Sequence, residues 1–202
     1  MPSILKVRPR SSQEIEKIAH EIVKNHQPDA VKFTVSFDVE DFFEFALEDK
    51  TGIEAIFKWL PAGLDGYTDS VNMRCYVATQ LLEYGDCQVT KRRLRATIAH
   101  EIGHCFLHVE EARRNQSFQQ KFLNNKSSSI QMYQPQDVEV YKNPEWQAWR
   151  FASAMLMPEN CFRTAVERNF SKKQLRRAFD VNQAFIDVRL KELKITKNIR
   201  NG

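Results

Sequence analysis

The stretch Ala96–His108 constrains this chain more than any other, because it contains His100-Glu101-Ile102-Gly103-His104. Residues four apart stack on one face of a helix, so His100 and His104 can offer two imidazoles to one metal ion. Glu101 lies one step round the helix, beside such an ion and not on it, where it can take a proton from a metal-bound water. H-E-x-x-H is the spacing of zinc-dependent hydrolases, in which the metal lowers the pKa of its water to about 7. The competing reading is a satisfied pair of core histidines. The surroundings favour the metal: Leu94, Ile98, Ile102, Phe106 and Val109 recur at helical spacing as a core face. Ala96, Ala99 and Gly103 are small enough for a helix packed closely under a site. Arg92, Arg93 and Arg95 read as a basic, solvent-facing approach to it.

Hydrolytic zinc sites usually have three protein ligands and one water. His108 is a poor third ligand, since it lies about 12 Å beyond His100 along a regular helix. The metzincin continuation is missing too: Leu107 stands at its turn glycine and Glu110 at its third histidine. The helix is therefore expected to run on past His108. Glu110, Glu111, Asp137, Glu139 and Glu145 are the carboxylates within reach in sequence. Glu145 is the best placed of them, on the first turn of a later helix whose Ala148 and Ala152 permit close packing. A Glu at that position is also common simply because it suits the helix dipole, so spacing alone leaves the third ligand open.

Local patterns predict the other elements. Ser11-Ser12-Gln13-Glu14 opens a helix with Ile15, Ile18, Ala19, Ile22 and Val23 inward, ending near 25–28. Residues 31–37 alternate like a strand, 41–48 form a short acidic aromatic helix, and 53–60 form a second strand. Residues 61–66 are a turn cluster, and 71–82 supply a strand before the motif helix, which Thr90 would cap. From Arg113 the chain turns polar, with Lys126-Ser127-Ser128-Ser129 at its centre and a helical pattern at 118–123; a long loop is expected there. Asn143-Pro144 then starts a helix that stops at Pro158. Three short helical patterns follow at 158–168, 172–179 and 182–193. The fold class expected is α+β: a small sheet packed on a zincin-like motif helix, with a C-terminal region resembling helix-turn-helix. The organisation expected is a metallopeptidase domain at 1–160, with its loop at about 112–143, and a basic helical subdomain at 161–202.

Composition limits the alternatives. No apolar run reaches membrane-span length, and Met1–Lys6 has no signal-peptide core, so a cytoplasmic protein is expected. The four cysteines form no C-x-x-C pair, which argues against a disulfide framework or a cysteine zinc site. The net charge of +4 is uneven, with 11 Lys and Arg against 4 Asp and Glu from residue 161 onward. Such a tail can meet nucleic acid or an acidic partner, or simply be a solvated face. No aromatic stacking pattern accompanies it, so sequence-specific DNA binding by this chain alone is not expected.

Three blocks together resemble the ImmA/IrrE family of metallopeptidases. They are Arg95–His104 with His108; Glu145-x-x-Ala148-x-x-Phe151-Ala152 leading to Leu156-Met157-Pro158; and Leu175-x-x-x-Phe179-x-Val181 with Arg189, Leu190 and Leu193. The resemblance implies a zinc peptidase with His100, His104 and Glu145 as metal ligands and Glu101 as general base. It also implies a helix-turn-helix repressor of a mobile element or stress response as substrate. Trp149 stands where the family usually has Asn, Asn182 where Ser is usual, and the segment between His104 and Glu145 is longer than typical. Tyr133 and Tyr141 in that segment are candidates to stabilise an oxyanion. The competing function is a non-catalytic zinc-containing binding module, or a toxin paired with a helix-turn-helix antitoxin.

Overall fold

The structure, a computed structural model, describes residues 7–83, 87–114, 140–197 and 199–201. Its helices are α1 Ser12–His26, α2 Asp29–Lys32, α3 Val39–Phe45, α4 Leu47–Thr51, α5 Gln88–Leu107, α6 Val109–Arg114, α7 Pro144–Leu156, α8 Glu159–Glu167, α9 Lys172–Phe179 and α10 Gln183–Glu192. Its strands are β1 Glu54–Lys58, β2 Gly66–Asp69 and β3 Arg74–Ala78. The architecture of the described residues is mixed α and β, mostly helical, with one small sheet in the order β1-β3-β2. Strand β3 is central, parallel to β1 and antiparallel to β2, with Thr68 opposite Cys75 and Gly66 opposite Val77. Among the described residues no helix is long and apolar enough to cross a membrane.

The motif helix α5 is the axis of the molecule, packing against α7, α3, β2 and β3, while α1 covers α7. From Leu94 to Leu107 every residue of α5 but the half-buried Phe106 is buried, on all faces and not on one stripe. Its small residues make this fit. A Cβ on Gly103 would stand 3.1 Å from the Ala148 backbone and 3.2 Å from the Phe151 ring. The two helices therefore touch backbone to backbone at Gly103 and Ala148. The core extends from Ile15, Val23 and Phe37 through Ile98 and Phe151 to Phe162, Phe179 and Ile186.

Ser11 accepts from Glu14 N at 3.1 Å and caps α1, as its sequence indicates. Asn143 does the same for α7, its Oδ1 accepting from Glu145 N at 2.9 Å and Trp146 N at 3.3 Å. The helices α8, α9 and α10 fall where three short patterns predict them, and Ser171 with Gln174 completes a capping box.

Several expectations are corrected. Residues 31–37 form no strand: α2 takes the first two, and the rest is irregular chain with Phe33 and Val35 exposed. There the Gln27 side chain satisfies the backbone in place of a ladder, bonding Ser36 O and Asp38 N. Helix α5 begins at Gln88 with Cys87 as its cap residue, ahead of Thr90. It does not run on: His108 (φ −123°, ψ −30°) interrupts it before α6. Arg92, Arg93 and Arg95 are not a solvent-facing run. Arg95 is buried and donates to Phe37 O at 2.7 Å, Arg92 pairs with Asp180 at 2.9 Å, and Arg93 holds Asp65 at 2.6 and 2.8 Å. Of the expected loop, residues 112–114 belong to α6 and 140–142 form a 3-10 turn. Residues 115–139, including the helical pattern at 118–123, lie outside the described residues.

Arg189 of α10 is fully buried. Its two terminal nitrogens bond the two carboxylate oxygens of Glu16 on α1, and its Nε donates to Met157 O at 2.9 Å. Arg150 on α7 joins from the other side, pairing with Glu16 and with Glu192. Ser153 donates to Glu192 at 2.7 Å. Two arginines and two glutamates thus staple α1, α7 and α10 together.

Candidate metal centre

Helix α5 sets His100 and His104 one turn apart, and their Nε2 atoms meet at 3.0 Å. Glu145, on the first turn of α7, brings Oε2 within 3.2 Å of His100 Nε2 and Oε1 within 3.4 Å of His104 Nε2. The Asn143 cap fixes where α7 begins, and the Gly103–Ala148 contact fixes how near it lies to α5. Among the described residues, His100, His104 and Glu145 form the group of His, Cys, Asp and Glu whose donor atoms converge, all within 4.8 Å of one another. Donors bound at about 2.0–2.2 Å to one tetrahedral ion stand roughly 3.3 Å apart, which is the spacing seen. Two imidazole nitrogens and one carboxylate are also a suitable donor set for a divalent first-row metal, so the residues present fit one.

Electrostatics at the centre point the same way. Burial would raise the Glu145 carboxyl, but the imidazoles of His104 and His100 outweigh it and hold that carboxyl well below the usual carboxylate range. Burial would likewise lower His104, and the Glu145 carboxylate reverses this and raises it. A carboxylate kept charged against two imidazoles is a site that favours positive charge.

Glu101 is only 2% exposed. Burial raises its carboxyl, opposed by His104, His100 and a hydrogen bond from Thr68. Thr68 Oγ1 donates to Glu101 Oε2 at 2.8 Å from strand β2, which passes directly over the residue. Gly66 lets it pass: a Cβ there would sit 2.9 Å from Tyr76 O and 3.0 Å from Glu101 Cγ. Neither Gly66 nor Thr68 stands out in the sequence, where Gly66 reads as part of a turn cluster. The one available signal is their spacing of two, which puts both on the same face of a strand.

The remaining candidates lie elsewhere. Glu111 accepts from Arg8 N at 2.8 Å and Glu110 pairs with Arg114, so neither joins the centre. Asp137, Glu139 and Tyr133 lie outside the described residues. Tyr141 is described, and its carbonyl accepts from Gln147 Nε2 at 2.7 Å. His108 has both ring nitrogens engaged away from the centre, on His104 Nδ1 at 3.0 Å and Gln147 Oε1 at 3.1 Å. Trp149, the departure from the family's usual Asn, lays its ring against His100 with centroids 4.2 Å apart.

Two histidines from one helix and a glutamate from a second make the three-donor arrangement that hydrolytic metal centres use. Residues 64–191 match the peptidase M78 family, described as the IrrE N-terminal-like domain, and the chain belongs to that family of metallopeptidases. The matched segment contains His100, Glu101, His104 and Glu145. No curated protein matches the chain in sequence. Among solved structures, a Mycobacterium tuberculosis transcriptional regulator shares the fold with a TM-score of 0.55 and 16% identity. The match covers 93% of this chain but 58% of that one, and at such identity it speaks for the fold alone.

Proposed function

We propose that this protein is a zinc-dependent endopeptidase of the H-E-x-x-H type, acting in the cytoplasm on a helix-turn-helix repressor of a mobile element or stress response. His100, His104 and Glu145 hold the zinc and Glu101 is the general base. The observation that carries this reading is the convergence of those three donors at 3.0, 3.2 and 3.4 Å. The zinc supplies a water acidic enough to ionise near neutral pH and a Lewis acid for the scissile carbonyl. Glu101 takes the proton of the attacking water and returns it to the leaving amine. Thr68 holds the Glu101 carboxylate in one orientation for both transfers. In this proposal residues 1–160 are the zincin-like catalytic domain and residues 161–202 a basic helical subdomain resembling helix-turn-helix. The repressor as substrate rests on the ImmA/IrrE resemblance, and the chain is not expected to bind a DNA sequence alone.

Metal titration against a chromophoric chelator tests the ligand set. Glu145→Ala is expected to lower zinc affinity at least tenfold to a hundredfold, whereas Glu110→Ala should leave it unchanged. Equal affinity in Glu145→Ala and wild type would remove Glu145 from the site. The substrate is tested by mixing the zinc-loaded protein with a small helix-turn-helix regulator encoded beside it. One internal cut, abolished by chelator, is expected; an intact regulator under every condition would sink that assignment. Thr68→Val, which keeps shape but removes the hydroxyl, should slow the cut about tenfold by loosening Glu101. Bound zinc should stay at the wild-type level, and an unchanged rate would show that Thr68 plays no part.

A further inference from the structure

We propose that His108 and Gln147 are positioning residues that hold a hydrogen on His104 Nδ1 and fix the ring, so that Nε2 is the nitrogen left to the metal. This rests on the metal-binding role given above to His104. Two atoms have a fixed character. The carbonyl oxygens of Arg8 and Tyr141 can only accept, and Gln147 Nε2 lies 2.9 and 2.7 Å from them. That fixes which end of the Gln147 amide is which, because its NH2 group must face the carbonyls. Its Oε1 therefore faces His108 Nε2, at 3.1 Å.

Donor and acceptor matching fixes the remaining hydrogens. Oε1 only accepts, so His108 Nε2 carries the hydrogen. His108 is buried, and neither of its hydrogen-bond partners is an acid, so its ring is neutral and its Nδ1 is an acceptor. The atom 3.0 Å away is His104 Nδ1, which must then be the donor. With its hydrogen on Nδ1 committed to His108, His104 has Nε2, the atom that meets His100 and Glu145, as the nitrogen it can offer a metal; without metal the Glu145 carboxylate can hold a second hydrogen there. Ligand histidines commonly give their second N–H to a carboxylate, carbonyl or water. Here the acceptor is another imidazole, oriented in turn by a glutamine and two backbone carbonyls.

The fold supports each link. Interruption of the helix at His108 places this ring between α5 and α7. Val7 N to Lys142 O at 3.4 Å and Arg10 N to Tyr141 O at 3.3 Å clamp together the two segments that supply the carbonyls. Gln147 itself is fully buried on α7, two residues after Glu145. His100 shows what the relay is for by lacking one. Among the described residues its buried Nδ1 has no hydrogen-bond partner, and the Trp149 ring packs against it instead.

Long-range proton–nitrogen correlation spectra of the metal-free protein, with 15N-labelled histidine, read the tautomers directly. His104 is expected to carry a hydrogen on Nδ1, alone or together with one on Nε2 facing Glu145, whereas free neutral histidine favours Nε2–H, and His108 is expected in the Nε2–H form. A wild-type His104 with no hydrogen on Nδ1 would overturn the proposal without touching the zinc assignment. In His108→Leu, His104 should move toward the Nε2–H form and zinc affinity should fall tenfold to a hundredfold. His108→Gln, whose side-chain oxygen can accept from His104 Nδ1, should recover most of that loss. A folded His108→Leu with wild-type zinc affinity would refute the relay. If His108→Leu fails to fold, the wild-type spectrum decides alone. Wild-type protein that binds no zinc would overturn the proposed function, and the tautomer measurement would still stand or fall by itself.

Discussion

Glu101→Gln is expected to reduce peptide cleavage by a factor on the order of 10³, the middle of the range for a lost general base, while zinc binding and fold stay as they are. The two halves of that expectation have separate causes. The carboxylate is one helical step away from the faces of His100 and His104, and it is not among the three donors that converge. Its environment is built for one shape: Thr68 donates to Oε2 at 2.8 Å, and β2 passes so closely that Gly66 has no room for a methyl group. Gln has the same shape, and its amide oxygen can still accept from Thr68, so neither the strand nor the helix has reason to move. What Gln cannot do is take a proton. The check is bound zinc and single-turnover cleavage of the regulator on the same preparation. Cleavage at the wild-type rate would end Glu101's role as base. Loss of zinc together with activity would mean that Glu101 is a ligand.

The parts of the centre that are local in the chain are legible in its sequence. Spacing of four puts His100 and His104 on one face, and Asn143-Pro144-Glu145 announces a capped helix with a carboxylate on its first turn. The small residues on both helices also say that the two can touch, as Gly103 and Ala148 do. The distance between Glu145 and the histidines is not legible, because it depends on how two helices far apart in the chain cross. Strand β2 is hidden because it begins inside a turn cluster, and the glycine that signals a turn is there for close approach to Glu101. The alternation at 31–37 misleads for the opposite reason. A strand needs a partner, and among the described residues none pairs with this stretch; Phe33 and Val35 are exposed, Phe37 is in the core and Val31 packs against it. His108 looks in the sequence like one more residue on a stripe. Its place in a hydrogen-bonded chain requires Gln147, Arg8 and Tyr141, from segments that no local pattern joins to it.

Charge counting misleads as well. The excess of Lys and Arg after residue 160 suggests a basic surface, and Arg189 is part of that count. It is instead one of the most buried side chains in the molecule, at 0% exposure. Asp180, on the same segment, is turned toward Arg92 and Arg95 of α5. The charge of Arg189 is therefore matched inside the fold by Glu16, which joins the last helix to the first, while Asp180 ties the segment to the motif helix.

That buried charge yields the largest stability effect expected here. Glu16→Ala should destabilise the protein by about 3 kcal/mol, near the low end for breaking a buried pair, or roughly 6–12 °C in melting temperature for a chain this long. The cost comes less from the attraction lost than from the charges left behind. Without Glu16 the buried Arg189 loses both of its short carboxylate bonds, and Arg150 loses one of its two partners. Glu192 remains within reach of both arginines, which keeps the loss from being greater. The double variant Glu16→Ala with Arg189→Met is the sharper test. Replacing Arg189 with an apolar chain removes the stranded charge, so the second substitution should restore part of the stability that the first removed. If each change acted through its own packing alone, the two losses would add. Thermal unfolding of the four proteins in the cycle distinguishes the cases: a double variant more stable than Glu16→Ala supports the staple, and simple additivity would show that Glu16 and Arg189 are not coupled.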